Sequence, residues 1–235
     1  MHGDSASVPV STERPIARAI GLVSVAAVAV VVLLRYDVAL MRWRDRFMPA
    51  DPSGLLEQLL TGFRNGGQVL SVAVALAIVV TYDRRRRSIV AAILLAQLFA
   101  AIAYNAGKYT IPRVRPTAAG RIVAPLDRLT GAETWLGLRP GNSDDDLRSF
   151  PSGHSAAAFA LAGVLAFFYP RLSWMFWLLA VGCSVSRFLD AAHWPTDCLV
   201  GAIIGMLAAL LARRSAMKWF SKITVAPAPR RSSTG

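Results

Sequence analysis

Three short polar stretches interrupt an otherwise strongly apolar chain, and each carries residues suited to handling a phosphate group. The first, Lys108-Tyr-Thr-Ile-Pro-Arg-Val-Arg115-Pro116, sets cations on either side of a helix-breaking Pro112. Alone it would be an ordinary interfacial cluster whose long side chains snorkel toward water. The second, Phe150-Pro-Ser152-Gly153-His154-Ser155, opens an alanine-rich run. Ser152 can cap a helix there, Gly153 lets a ligand oxygen approach the backbone, and the free N–H groups and dipole of a helix start favour an anion. Alone this could be only a cap. The third, Ser186-Arg187-Phe-Leu-Asp190-Ala-Ala-His193-Trp-Pro195-Thr-Asp197, combines guanidinium, imidazole and carboxylate. With Pro195 in a first helical turn, Asp197 stands one turn from His193 and is expected to accept its Nδ1–H, leaving Nε2 free. The alternative is a capping acid beside an interfacial histidine.

The elements that must position these stretches are six apolar segments: Ile16–Leu34, Gly67–Tyr82, Ser88–Gly107, Ser152–Tyr169, Leu172–Val185 and Thr196–Leu211. Each is a helix candidate, although several fall short of the roughly 20 residues of a perpendicular span. The expected fold is therefore all-α, a six-transmembrane helix bundle over 16–212, with a cytoplasmic tail at 1–15 and a basic, disordered cytoplasmic tail at 213–235. The block Arg84–Arg87 and the cations Arg213, Arg214, Lys218 and Lys222 belong in the cytoplasm by the positive-inside bias. Both termini are then inside, and all three polar stretches sit at the extracytoplasmic face. Arg35 to Gly66 fits this topology least, being an outer loop rich in arginine; its middle is expected to be a surface amphipathic helix or a solvated loop.

Convergence changes the reading. Lys108, Arg115 and Arg187, a helix amino terminus, two histidines and a carboxylate brought to one face complement a tetrahedral phosphate in line with a nucleophile.

The composition agrees with a membrane protein: 54% of the residues are hydrophobic and only 17% charged. The net charge of +12 sits in short runs between apolar segments rather than on one polar domain, which excludes nucleic-acid binding. Cys183 and Cys198 lie in apolar runs without metal or redox spacing and read as packing residues. Asp144, Asp145 and Asp146 are expected to be solvated, pairing with Arg139 or Arg148 or shaping the site mouth. No metal or other cofactor is expected, because the cations already supply the charge that Mg2+ would. Gly201 and Gly205 have the spacing that lets another helix approach closely within the bundle.

The pattern K-x6-R-P, P-S-G-H and S-R-x5-H-x3-D resembles the signature of the type 2 phosphatidic acid phosphatase superfamily, with every signature position filled. The resemblance implies that Lys108, Arg115, Ser152, Gly153 and Arg187 bind phosphoryl oxygens, His193 is the nucleophile, His154 is acid then base, and Asp197 orients His193. It further implies a membrane lipid phosphatase acting through a phosphohistidine on a phosphorylated lipid such as undecaprenyl diphosphate or phosphatidate. A lipid phosphotransferase, using a hydroxyl acceptor in place of water, is the alternative.

Overall fold

A computed structural model describes residues 13–48, 54–67 and 69–224. Eight α-helices are found there: α1 (Glu13–Phe47), α2 (Leu55–Asn65), α3 (Val69–Tyr82), α4 (Arg86–Thr110), α5 (Pro116–Ile122), α6 (Gly153–Phe168), α7 (Ser173–Leu189) and α8 (Pro195–Thr224). A helix accounts for each of the six apolar segments, so the all-α expectation holds. On length and composition four of them can cross a membrane: Val23–Phe47, Arg86–Thr110, Pro170–Leu189 and Pro195–Met217. The helices α2 and α3 make a fifth span only if the pair, bent by 63°, is taken as one broken crossing, and α6 is shorter.

Two boundaries differ from the sequence reading. The helix expected to stop at Leu34 runs on to Phe47, because Tyr36, Val38, Leu40, Met41 and Trp43 continue an apolar pattern through the charged residues. What looked like a 32-residue loop is thus largely helix, and α2 is the expected amphipathic one. At the other end α8 continues to Thr224, past the boundary drawn at 212, so the segment expected to be a disordered tail begins as helix. The remainder of both tails lies outside the described residues.

Helix α6 is the centre of the bundle and packs against α4, α7 and α8. The interfaces are built from small residues, with Ala96, Ala100, Ala156, Ala160, Ala208 and Ala212 buried alongside Ile89, Ile93 and Val164. Close approach is strictest where α8 crosses the start of α6. A Cβ at Gly205 would run into the Ala156 carbonyl and lie 2.8 Å from the Ala160 nitrogen, and one at Gly201 would run into the Ser152 carbonyl. The two glycines therefore serve internal packing. The outward faces carry exposed valine and leucine, such as Val25, Leu94, Leu98, Leu178 and Leu207, as a lipid-facing band requires.

The bundle has two unlike ends. At one, Arg85 lies over the Phe168 and Tyr169 rings, Tyr169 donates to Asp83 at 2.7 Å, and Arg213 lies over Phe167. At the other, the carboxyl ends of α1, α4 and α7 meet the amino ends of α6 and α8. A smaller core seals this end, formed by Val38, Met41, Val114, Ala118, Leu129 and Trp194.

Gly205→Val should overpack the α6–α8 crossing and cost about 1–3 kcal/mol. Thermal unfolding of the purified protein in detergent is expected to show a lowered midpoint, while substitution at Gly120, where a Cβ meets nothing within 4 Å, leaves it unchanged.

Candidate active site

The chain reaches the nucleophile candidate by a tight path. Helix α7 ends at Leu189, and His193 sits in the short connection before Pro195 opens α8. The backbone N–H groups of Ala192 and His193 both donate to the Arg187 carbonyl, which curls this connection over the end of α7. Arg115 reaches the same place: its Nη1 donates to the Ala192 carbonyl at 3.1 Å and its Nε to the Asp145 carbonyl at 2.7 Å. Arg115, Arg187 and His193 are thereby brought together.

His193 is 2% exposed, and its Nδ1 lies 2.7 Å from the Ser149 carbonyl oxygen. A carbonyl can only accept, so Nδ1 carries the proton and Nε2 presents its lone pair. Burial, followed by the positive charges of Lys108, Arg115 and Arg187, holds the imidazole pKa well below its ordinary 6.5. The ring is neutral and keeps a nucleophilic nitrogen among cations.

The expectation that Asp197 accepts the His193 Nδ1–H is overturned. Asp197 is fully buried; its Oδ1 accepts from Arg113 Nη1 at 2.6 Å, and its Oδ2 accepts from Ser149 Oγ at 2.5 Å and the Trp194 backbone N–H at 3.1 Å. The physical reason is that His193 precedes the helix, so the one-turn spacing does not stack it over Asp197. Asp197 instead reaches back over the first turn, as a capping acid does. The Ser149 carbonyl has the orienting contact, and Asp197 holds Ser149.

The other expected residues gather around this centre. Lys108 is in the last turn of α4 and donates to the Arg148 carbonyl at 3.1 Å, one residue from Ser149. Ser152 is buried and caps α6, accepting from the Ser155 N–H and hydroxyl. Ser155 and Ala156 amides are thus turned back onto Ser152, which leaves the N–H groups of Gly153 and His154 as the free donors of the helix start. Gly153 has an added reason to be glycine: a Cβ there would lie 3.2 Å from the Tyr104 ring. His154 and Gly153 line a cavity of roughly 550 Å3 together with Lys108, Arg148, Tyr104, Asn105 and, deeper along α4, Gln97. Arg187 pairs with Asp190 at 3.1 Å through Nη1, while its Nε and that of Arg148 are buried without a partner. An anion in the cavity would supply an acceptor for Arg148, which lines it.

Sequence reasoning missed Arg113, Asp37, Ser149 and Arg148 as parts of this region. A third cation inside the Lys108–Arg115 stretch was the signal for Arg113; Asp37 gave none, lying where a loop was expected to begin. The acidic run behaves as expected at the surface, Asp145 pairing with Arg148 at 3.2 Å and Asp146 with Arg121 at 3.1 Å. The arginines beyond Leu34 serve the fold: Arg42 donates to the Leu126, Asp127 and Leu129 carbonyls, Arg44 to the Leu189 carbonyl, and Arg64 lies 3.5 Å from Asp190.

The family model described as PAP2 superfamily matches residues 87–221, more than half of the chain. The bacitracin transport permease protein BcrC of Bacillus licheniformis is 34% identical over 62 residues, covering 26% of this chain and 30% of that protein. A lipid A 1-phosphatase of Porphyromonas gingivalis is 32% identical over 109 residues, covering 44% of this chain and 18% of that protein. The chain thus spans under a third of the length of the curated relatives it matches. Among solved structures, Aquifex aeolicus LpxE superposes with a TM-score of 0.55 at 23% identity, over 75% of this chain and 93% of that one. A transmembrane PAP2 type phosphatidylglycerolphosphate phosphatase from Bacillus subtilis does so with a TM-score of 0.53 at 19% identity, over 83% and 96%. Both share the fold.

A histidine held neutral in the folded state and free to protonate in the unfolded chain makes stability pH-dependent. The unfolded state binds the extra proton, so this contribution is present above the unfolded pKa near 6.5 and is lost as pH falls below it. Stability should fall as the pH is lowered from neutral toward 5 on this account, by no more than about 1.4 kcal/mol per pH unit. Unfolding midpoints across that range should show the slope, and His193→Gln should flatten it.

Proposed function

The chain belongs to the PAP2 superfamily, and from that premise we propose that it is a metal-independent membrane hydrolase that releases phosphate from a phosphorylated lipid through a phosphohistidine. The observation that carries this reading is the neutral His193, its Nδ1 committed to the Ser149 carbonyl and its Nε2 free, set among Lys108, Arg115 and Arg187.

The chemistry follows from the geometry. The phosphoryl oxygens are held by Lys108, Arg115 and Arg187 and by the Gly153 and His154 N–H groups, with Ser152 fixing that helix start. His193 Nε2 attacks phosphorus in line with the departing oxygen; the P–N bond forms as the P–O bond to the lipid breaks. The bound phosphate brings the negative charge that lets His154 hold a proton among these cations, and His154 gives that proton to the leaving alkoxide or phosphate. Neutral His154 then takes a proton from water, whose oxygen displaces His193 from phosphorus and returns the ring to its starting state. Throughout, the Ser149 carbonyl stabilises the Nδ1–H as the imidazole becomes positive.

Orientation is read from charge. Arg85 and Arg213 lie at the end of the bundle opposite His193, and the positive-inside bias supports a cytoplasmic assignment for that end. The reaction then takes place at the extracytoplasmic face, on a lipid phosphate or diphosphate whose head enters the cavity beside Lys108 and His154.

Purified protein given a panel of lipid phosphates and diphosphates with EDTA present is expected to release inorganic phosphate. His193→Ala should reduce turnover by at least about a thousandfold, since it removes the attacking atom. Acid-sensitive, base-stable labelling by a 32P-lipid should be seen in the wild type and lost in this variant. Dependence on added metal, or a His193→Ala rate within tenfold of wild type, would end the proposal; label appearing on an added lipid alcohol instead of as free phosphate would reassign the acceptor.

A further inference from the structure

One buried cluster at the site end has no part in the chemistry just described. Arg113 is 1% exposed, and its guanidinium spans two buried carboxylates, donating through Nη2 to Asp37 Oδ2 and through Nη1 to Asp197 Oδ1, both at 2.6 Å. The face of the guanidinium is covered by the Trp135 ring, 4.2 Å from its centroid, and it also lies 5.2 Å from that of Trp194. Asp37, on α1, accepts through its other oxygen from the Thr196 N–H and hydroxyl at the start of α8. The Arg113 backbone joins in: its N–H donates to the Leu147 carbonyl, and its carbonyl accepts from the Ser149 N–H.

Followed in order, these bonds run Asp37, Arg113, Asp197, Ser149 and His193, each link direct. A buried ion cluster of this kind is weak evidence for stability, because desolvation of three charges consumes most of their attraction, and apolar residues of similar volume would hold the fold as well. What such residues could not do is fix a direction. The planar fork of arginine sets two carboxylates at a defined spacing, which a lysine ammonium does not.

We propose that Arg113 and Asp37 are positioning residues for the reaction: they lock Asp197 and the 147–149 segment so that the Ser149 carbonyl holds His193 in its Nδ1–H form with Nε2 available to attack phosphorus. This rests on the phosphatase reading for its purpose but not for its measurement. It makes α1, through a single aspartate more than 150 residues away in sequence, a working part of the site. It also explains why this aspartate of α1 is fully buried rather than turned to water.

The chain has three histidines, so a sample labelled with 15N in the imidazoles gives few enough signals to resolve the tautomer of each. In wild-type protein in detergent at pH 8, His193 should show one protonated nitrogen, Nδ1, identified by loss of its signals in His193→Gln. Asp37→Asn and Arg113→Lys should each shift His193 toward a mixture of tautomers. Both should lower kcat on the order of a hundredfold, as a displaced reacting group does, with KM changed by less than about threefold because the phosphate-binding cations are untouched. Should Arg113→Lys fail to fold, Asp37→Asn alone decides, since it preserves volume and one accepting oxygen while removing the charge and the second acceptor. A folded Asp37→Asn protein with wild-type tautomer and wild-type kcat overturns the proposal. Wild-type protein that releases no phosphate from any lipid would instead overturn the phosphatase reading, and the two failures are separable because the tautomer is read without turnover.

Discussion

Two carboxylates buried at the end of a helix bundle repel each other unless a cation lies between them. Arg113 is that cation, and the positions of Asp37, Asp197 and the 147–149 segment are all set by its two forks and its backbone. The cluster ties together α1, the connection after α4, the strand-like approach to α6 and the start of α8, elements that the apolar core alone would leave free to slide by a fraction of a turn. Hydrophobic packing is non-directional. It brings the helices together through alanine and glycine contacts around α6, and the buried charges then fix which atoms face which.

The reactive region is built by contrast between two kinds of charge. Asp37, Arg113 and Asp197 are fully satisfied and dry, so they act as a rigid frame. Lys108, Arg148 and Arg187 are only partly satisfied, and two buried guanidinium nitrogens have no partner at all. Rigid frame and unfilled donors together are what a site for an anion needs, because the donors then wait at fixed places and little reorganises when the anion arrives. His193 stands at the boundary between them, held by the frame through Ser149, and its burial together with the field of the neighbouring cations keeps it uncharged.

The legible part of the fold was its hydropathy. A run of apolar residues needs no partner to declare itself a helix candidate, and all six such runs are helical. The three polar stretches were legible for the same reason, since cations and histidines have no place in a lipid-facing helix without a use. That another helix packs close against α8 was also legible in Gly201 and Gly205, although only the tertiary structure names α6, through Ala156 and Ser152, as what they meet. The end of α1 was misread because arginines spaced along a helix resemble a polar loop until the carbonyls they serve are known. The partner of Asp197 was misread because one-turn spacing applies inside a helix, and His193 lies outside it.

From its residues alone the chain determined that it is a multi-pass helical protein and that cations, two histidines and a carboxylate gather in three short junctions between its apolar segments. Those are properties of residue type and local spacing, which the solvent reads directly. Only the tertiary structure decided that Ser149, not Asp197, orients the imidazole, and that Asp37 and Arg113 stand behind both. Such choices turn on hydrogen-bond directions among groups up to 159 positions apart, and a bond whose strength depends on tenths of an ångström has no trace in the order of residues until the helices that carry its ends have packed.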